Sequence, residues 1–179
     1  TLPLTLFPYT TLFRSLGHRR IAAIFPDTGE NDRARLRRAA AMAALQAASI
    51  QTPEGWRVRT PYSTAQAKRA CLDLLAAADR PTALLCGNDV IAQGALYAAL
   101  KLGLSVPRDL SIIGIGDFVG SAELEPALTT IRIPARRIGA AAAEHLADSV
   151  DSEAGQPLAR TRFDCELIMR ATTAPPPPA

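Results

Sequence analysis

The sequence has few of the residues that most often carry chemistry. Its three cysteines, Cys71, Cys86 and Cys165, are widely spaced and set in apolar runs. That spacing suits neither a disulfide framework nor a metal site, so no metal or other cofactor is expected, and a reducing, cytoplasmic setting is. The two histidines, His18 and His145, have no base, thiol or ligand spacing around them, which points to surface or interface positions. No apolar run is long enough to cross a bilayer, so no membrane partner is expected. Charge of one sign is also lacking. Lys and Arg total 20 against 17 Asp and Glu, and the arginines gather at Arg14 to Arg20 and Arg33 to Arg38, too weak a pattern to imply a nucleic-acid surface by itself. Aromatic residues make up only 5% of a chain that is 48% hydrophobic. The core must therefore be aliphatic and alanine-rich, and the length allows one compact domain.

The ends differ from the body. Residues 1–15, TLPLTLFPYTTLFRS, begin uncharged and are interrupted by Pro3, Pro8 and several threonines, which is unlike a signal peptide. Thr5 to Ser15 is what a string resembling a common sequencing-library adapter encodes in frame. Residues 1–15 are therefore expected to be non-native, with natural sequence from Leu16. Residues 171–179 carry four successive prolines and are expected to form a disordered tail. Residues 16–170 remain as the domain.

Within that span the hydrophobic period alternates. Ile21 to Phe25 is a short apolar run closed by Pro26 and Gly29, which suits a buried strand. A helix capped by Asn31 or Asp32 runs to about Ala48. Arg57 to Thr60 forms a weaker strand, and Ser63 or Thr64 caps a helix ending near Ala78. Thr82 to Cys86 is the next strand; Asn88 then caps a helix that stops near Gly103. LSIIGIG is a fourth strand and Leu128 to Ile133 a fifth, followed by a helix over Ala135 to Ser149 and a last strand near Arg162 to Met169. Strands alternating with helices of this length predict an α/β fold: a doubly wound parallel sheet with helices on both faces.

In such sheets a ligand binds beyond the carboxyl ends of the strands. The polar residues there are Asn31 to Arg38, Tyr62 and Ser63, Asn88 and Asp89, and Asp117. A guanidinium, carboxylates and an aromatic face suit a small polyhydroxylated molecule and need no catalytic set or metal. Each also has a structural explanation. Asn88 serves as a helix N-cap, Asp89 as a first-turn acid matched to the helix dipole, any arginine of Arg33 to Arg38 as a solvated helix face, and Tyr62 as a plug between helix and sheet. Trp56 is either packing or a wall of the cleft. Gly114, Gly116 and Gly120 suggest a dinucleotide turn, but that turn must run straight into a helix. Here Pro126 and a strand follow instead, so a nucleotide-dependent α/β enzyme is the weaker alternative.

Four segments carry a family resemblance: LGHRRIAAI (Leu16 to Ile24), GNDVIAQGA (Gly87 to Ala95), LGLSVPRDLSIIGIGDF (Leu102 to Phe118) and PALTTIRIP (Pro126 to Pro134). In order and spacing they resemble the sensing domain of LacI/GalR transcriptional repressors. The resemblance spans Leu16 to Arg170. It implies a two-lobed, type I periplasmic-binding-protein-like fold, incomplete here: mostly the C-terminal lobe, plus the 135–149 helix from the N-terminal lobe. Most of that second lobe and the helix-turn-helix head lie outside the sequence.

The resemblance also implies roles. Arg37, in RRAAA, stands where the family has its ligand-clamping arginine in RxAGF, with alanines replacing the glycine and the aromatic. Asp89 matches an aspartate that hydrogen-bonds effector hydroxyls, and Tyr62 falls where an aromatic stacks on the ligand. Asn88 flanks them. Of the family's GxDD turn the second acid survives as Asp117, while Gly116 replaces the first; Ile133 and Ala135 are apolar at the interlobe crossover. GIGDF and TTIRIP resemble regulators of gluconate-type operons. The implied function is sensing of a sugar or sugar acid, with no enzyme activity. It would work by a shift between two lobe arrangements in a homodimer that meets operator DNA only through the head. The alternative is a periplasmic sugar-binding protein of a transport system. One expectation can be checked on the nucleotide read: the codons of Thr5 to Ser15 should spell the adapter string, and any other codons would assign the segment to the gene.

Overall fold

Short aliphatic runs and alanine-rich helices alternate to build one six-stranded sheet in a computed structural model that describes residues 8–27, 29, 31–50, 52–150 and 160–178. In chain order the elements are α1 (Pro8–Ser15), β1 (Ile21–Pro26), α2 (Asp32–Ala47), β2 (Arg57–Thr60), α3 (Thr64–Leu75) and β3 (Ala83–Cys86). They continue as α4 (Asp89–Lys101), β4 (Ser111–Gly116), β5 (Thr129–Arg132), α5 (Ala135–Val150) and β6 (Glu166–Ile168). Strand order is β2-β1-β3-β4-β5-β6. The first five strands are parallel, as the alternation of strand and helix predicts.

Three helices start at side-chain caps. Asn31 accepts from the Ala34 amide at 3.1 Å, Ser63 from Gln66 at 3.5 Å and Asn88 from Ile91 at 2.9 Å. Each cap satisfies an amide that the first turn leaves free, worth about 1 kcal/mol. Successive strand residues face opposite layers. Ile24, Leu84 and Ile112 pack against α3 and α4, while Ala23, Phe25, Leu85, Ile113 and Ile131 pack on the side of α1 and α2. At Gly94 of α4 an added Cβ would come within 2.6 Å of the Ala67 Cβ and 2.7 Å of the Thr64 carbonyl. Small residues thus let α3 and α4 approach closely. Cys71 and Cys86 are buried in this layer, and burial pushes the Cys71 thiol up to about 12 and that of Cys86 well above its ordinary value; both behave as small apolar residues.

Three expectations are corrected. First, β6 pairs antiparallel to β5, with Arg132 opposite Glu166. The side chains of α5 are largely exposed, so this helix does not pack across the sheet as a crossover, and β6 enters from the carboxyl edge, where β5 ended.

Second, the proline-rich end is packed. Thr172 is fully buried, the Ile112 amide donates to its carbonyl at 2.8 Å and its hydroxyl donates to the Ile112 carbonyl at 2.7 Å. The Ala171 amide donates to Ala127 O at 2.9 Å. Sequence composition did not register that backbone groups, more than side chains, would anchor this segment.

Third, His18 is in the interior. Only 1% of it is exposed; its ring meets Phe13 of α1 edge to face at 5.4 Å. Nε2 lies 2.8 Å from the Ala174 carbonyl and Nδ1 2.9 Å from the Thr82 hydroxyl. A carbonyl only accepts, so Nε2 carries the proton in the neutral ring and Thr82 donates to Nδ1. Residues 8–15, the described part of the segment expected to be adapter-derived, thus form a helix whose Phe13 is fully buried.

Burial disfavours the imidazolium and lowers the His18 pKa from its ordinary 6.5, although the bond to Ala174 opposes this. The unfolded chain then takes up the proton first. Neutral His18 contributes its full stability above the ordinary value, and that contribution is lost as pH falls below about 6.5. Denaturant unfolding at stepped pH should show this loss. The difference in stability between the protein and His18→Asn should shrink toward acid; a difference independent of pH would contradict it.

Candidate functional site

The strand order sets the position of the crevice. The chain leaves β1 toward β2 and β3 toward β4, so the carboxyl ends of β1 and β3 form the switch point of the sheet. Gly87 follows β3 there. An added Cβ would meet the Phe25 ring and Pro26 Cδ at 2.7 Å, so glycine lets the two strand ends close. Arg37, half-buried on α2, donates from Nη1 to the Gly87 carbonyl at 2.8 Å. That bond holds the guanidinium over the crevice, and among the described residues the rest of its donor fork has no hydrogen-bond partner.

Asn88 is buried and occupied as the cap of α4. Asp89 is 4% exposed, and both of its oxygens are engaged. Oδ1 accepts from the Thr130 hydroxyl at 2.6 Å; Oδ2 accepts from the Phe118 amide at 2.9 Å and the Ser121 hydroxyl at 2.8 Å. Gly114 is paired with Thr130 across β4 and β5, and a Cβ on it would strike Asp89 Oδ1. The glycines that suggested a nucleotide turn thus have other functions: Gly114 admits a carboxylate, and Gly116, at φ 137, leaves room for the Phe118 ring that an added Cβ would strike.

Asp117 follows β4 in the left-handed region at φ 52, which a short acid tolerates. Its two oxygens accept from Arg170 Nη2 and Arg132 Nε, each at 2.7 Å. Burial works to raise its pKa, but the hydrogen bonds and charges of Arg170 and Arg132 outweigh it, and the carboxyl is held below the usual value. Arg132 also reaches Glu166 at 3.2 Å, joining β5 to β6. Tyr62, just past β2, is 60% exposed, so it does not plug the layer. Its hydroxyl pKa is raised by burial and then by the Asp89 carboxylate, while Arg37 opposes. Trp56 is half-buried away from these groups, with Arg20 5.8 Å over its ring.

Of the residues singled out in the sequence, Arg37, Tyr62 and Asp89 come together at one end of the sheet. Asn88 and Asp117 lie on the same edge, engaged in capping and ion pairing. The partners of the two acids, Thr130, Ser121, Arg132 and Arg170, were not anticipated, nor was Phe118 as a surface aromatic, 41% exposed. One signal existed: a strand glycine beside an inward Thr implies that something large enters there. Among the described residues no His, Cys, Asp or Glu cluster could hold a metal.

A family model described as a periplasmic binding protein-like domain matches residues 10–173, and the chain belongs to that family. A curated relative, the HTH-type transcriptional repressor PurR of Escherichia fergusonii, is 38% identical over 141 residues, covering 79% of this chain and 41% of the relative. The chain thus spans about two fifths of the length of that relative. Two solved structures are similar. A LacI family transcriptional regulator from Mycobacterium smegmatis has a TM-score of 0.82 at 36% identity, over 93% of this chain and 62% of that one. The dimeric Lac repressor with an 11-residue C-terminal deletion has a TM-score of 0.86 at 28% identity, over 93% and 60%. Within the periplasmic-binding-protein-like class, the chain is a LacI/GalR-type effector-binding domain. These relatives are transcriptional regulators and not enzymes.

The buried bonds of Asp89 predict that Asp89→Ala lowers unfolding stability by about 3 kcal/mol, because it leaves the donors of Thr130, Ser121 and Phe118 without an acceptor. Asp89→Asn should lose less, since the Thr130 hydroxyl can accept from the new amide. Urea titration of the two variants measures this; a stability loss below about 0.5 kcal/mol for the alanine variant would contradict it.

Proposed function

We propose that this domain is the sensor of a LacI-family repressor, and that a small-molecule effector enters the crevice between the carboxyl ends of β1 and β3. The observation that carries this reading is Arg37: its guanidinium is anchored by one bond to Gly87 O and half-buried, with the rest of its donor fork unengaged among the described residues. A half-buried cation in that state favours an anionic ligand group. Tyr62 stands beside it as a contact face. Asn88, Asp89 and Asp117 enter as supports that fix the strand-end turns. The protein's relatives supply the rest of the reading. In a homodimer with helix-turn-helix heads, effector in the cleft favours one lobe arrangement and so alters affinity for the two operator half-sites, without chemistry. A transcription regulator works in the cytoplasm, and this reading carries that location.

A sugar acid of gluconate type suits this site in its acid half, through Arg37. For its polyol half, Asp89 and Asp117 already accept internal bonds, and the exposed carboxylate at this end of the sheet is Asp27, just past β1. In the complete regulator, Arg37→Ala should lower affinity for the effector roughly tenfold to a hundredfold, the loss of about 1.5–3 kcal/mol of charge-assisted bonding. Operator affinity without effector and the melting temperature should stay nearly constant. Calorimetric titration beside an operator-binding assay reads both. Unchanged effector affinity would remove Arg37 from the site.

A further inference from the structure

Between α2 and the outermost strand β2 lies a cleft of about 1000 Å³, and none of Arg37, Tyr62 and Asp89 lines it. It is open because β2 turns an arginine, not an apolar residue, to that side of the sheet. Arg57 is registered opposite Ala23, which packs in the layer of α1 and α2, and partners in neighbouring strands share a face. Phe25, Leu45 and Ile50 close the base of the cleft, while Ala39, Met42 and Pro53 form apolar walls. The lining follows α2 from Arg38 to Ser49, a length of about 16 Å at the helical rise per residue. The cleft is therefore long, with an apolar middle.

Each end carries a cation. Because α2 runs back from the carboxyl end of β1, Arg38 in its second turn lies toward that end, whereas Arg57, the first residue of β2, lies toward the amino end. No Asp or Glu is in the lining. Arg38 is half-buried and has no hydrogen bond or ion pair among the described residues. Arg57 Nε donates to the Thr52 carbonyl at 2.7 Å, which steadies the guanidinium and leaves its two Nη groups unbonded among those residues. Thr52, at the same end and 4% exposed, has a buried hydroxyl with no partner among them. An unmatched buried hydroxyl costs free energy that a ligand oxygen recovers once the side chain turns toward it.

We propose that this cleft is a second binding site, separate from the effector crevice, for a linear α,ω-dicarboxylate. One carboxylate pairs with Arg38; the other accepts from Arg57 and the Thr52 hydroxyl, and the methylene chain between them covers the apolar walls. A monocarboxylate of equal length satisfies one cation only, and a short diacid does not span the apolar middle. Arg37 and Arg38, adjacent in sequence, thus serve different sides of α2.

The test is a calorimetric titration of the complete protein with succinate, suberate and sebacate, with octanoate as a single-charge control and octanediamine as a control of opposite charge. Suberate or sebacate should bind at least about tenfold more tightly than succinate and octanoate. Arg38→Gln and Arg57→Gln should each weaken that diacid to about the affinity of octanoate. Thr52→Val should weaken it several-fold without lowering the melting temperature, because it removes a hydroxyl that has no bond to lose. Arg37→Ala should leave it unchanged, which separates this site from the crevice. Octanoate or octanediamine binding as tightly as the long diacids would overturn the proposal. So would long-diacid binding that Arg38→Gln does not weaken, binding that Arg37→Ala removes, or no binding by either long diacid.

Discussion

The Asp89 carboxylate is the constraint on which the carboxyl edge depends. An ionised group that is 4% exposed is tolerated only when its oxygens are bonded, and here three donors from three places do so: β5 through Thr130, the turn after β4 through the Phe118 amide, and the following loop through Ser121. Because Asp89 is the first residue of α4, one side chain fixes the start of a helix relative to the ends of two strands. Gly114 makes that possible by leaving the volume the carboxylate fills. Phe118 is exposed where it is because its own amide is tied to this group.

Charge on the edge is divided unevenly as a result. Asp117 is neutralised by Arg132 and Arg170, and Arg132 reaches on to Glu166, so the β4–β5–β6 end is an internally compensated lattice. Arg37 stands outside it, bonded only to a backbone carbonyl that carries no net charge. The Asp89 carboxylate, held by neutral donors alone, lies on the same edge, and at the Tyr62 hydroxyl its effect and that of Arg37 oppose each other.

Much of the fold was legible in the sequence because the signals were local. Arg57 to Thr60 is β2 as expected, and Asn31, Ser63 and Asn88 cap the three helices predicted after strands. A cap and a strand end are properties of a few consecutive residues. What sequence could not supply was the direction of a side chain relative to distant partners. Asp89 has the same sequence context whether its carboxylate faces a cleft or Thr130, 41 positions away. His18, with no titratable or ligating neighbour in sequence, looked like a surface residue because Thr82 and Ala174 are far along the chain. The segment 171–178 looked unpacked since proline runs supply little side-chain burial, yet its backbone carbonyls bond His18 and β4. The antiparallel β6 likewise depended on where α5 goes, and no local pattern encodes that.

The contact between Ala174 and Ser111 joins residues 63 positions apart, and this bears on how the domain comes into being. During synthesis, β4 leaves the ribosome well before the strip that bonds to Ile112, Ser111 and His18. Throughout that interval the Ile112 amide and carbonyl lack their Thr172 partners and the His18 ring lacks the Ala174 carbonyl. Closing a loop of this length costs conformational entropy. The amino end of β4 is therefore completed by residues made long after the strand itself.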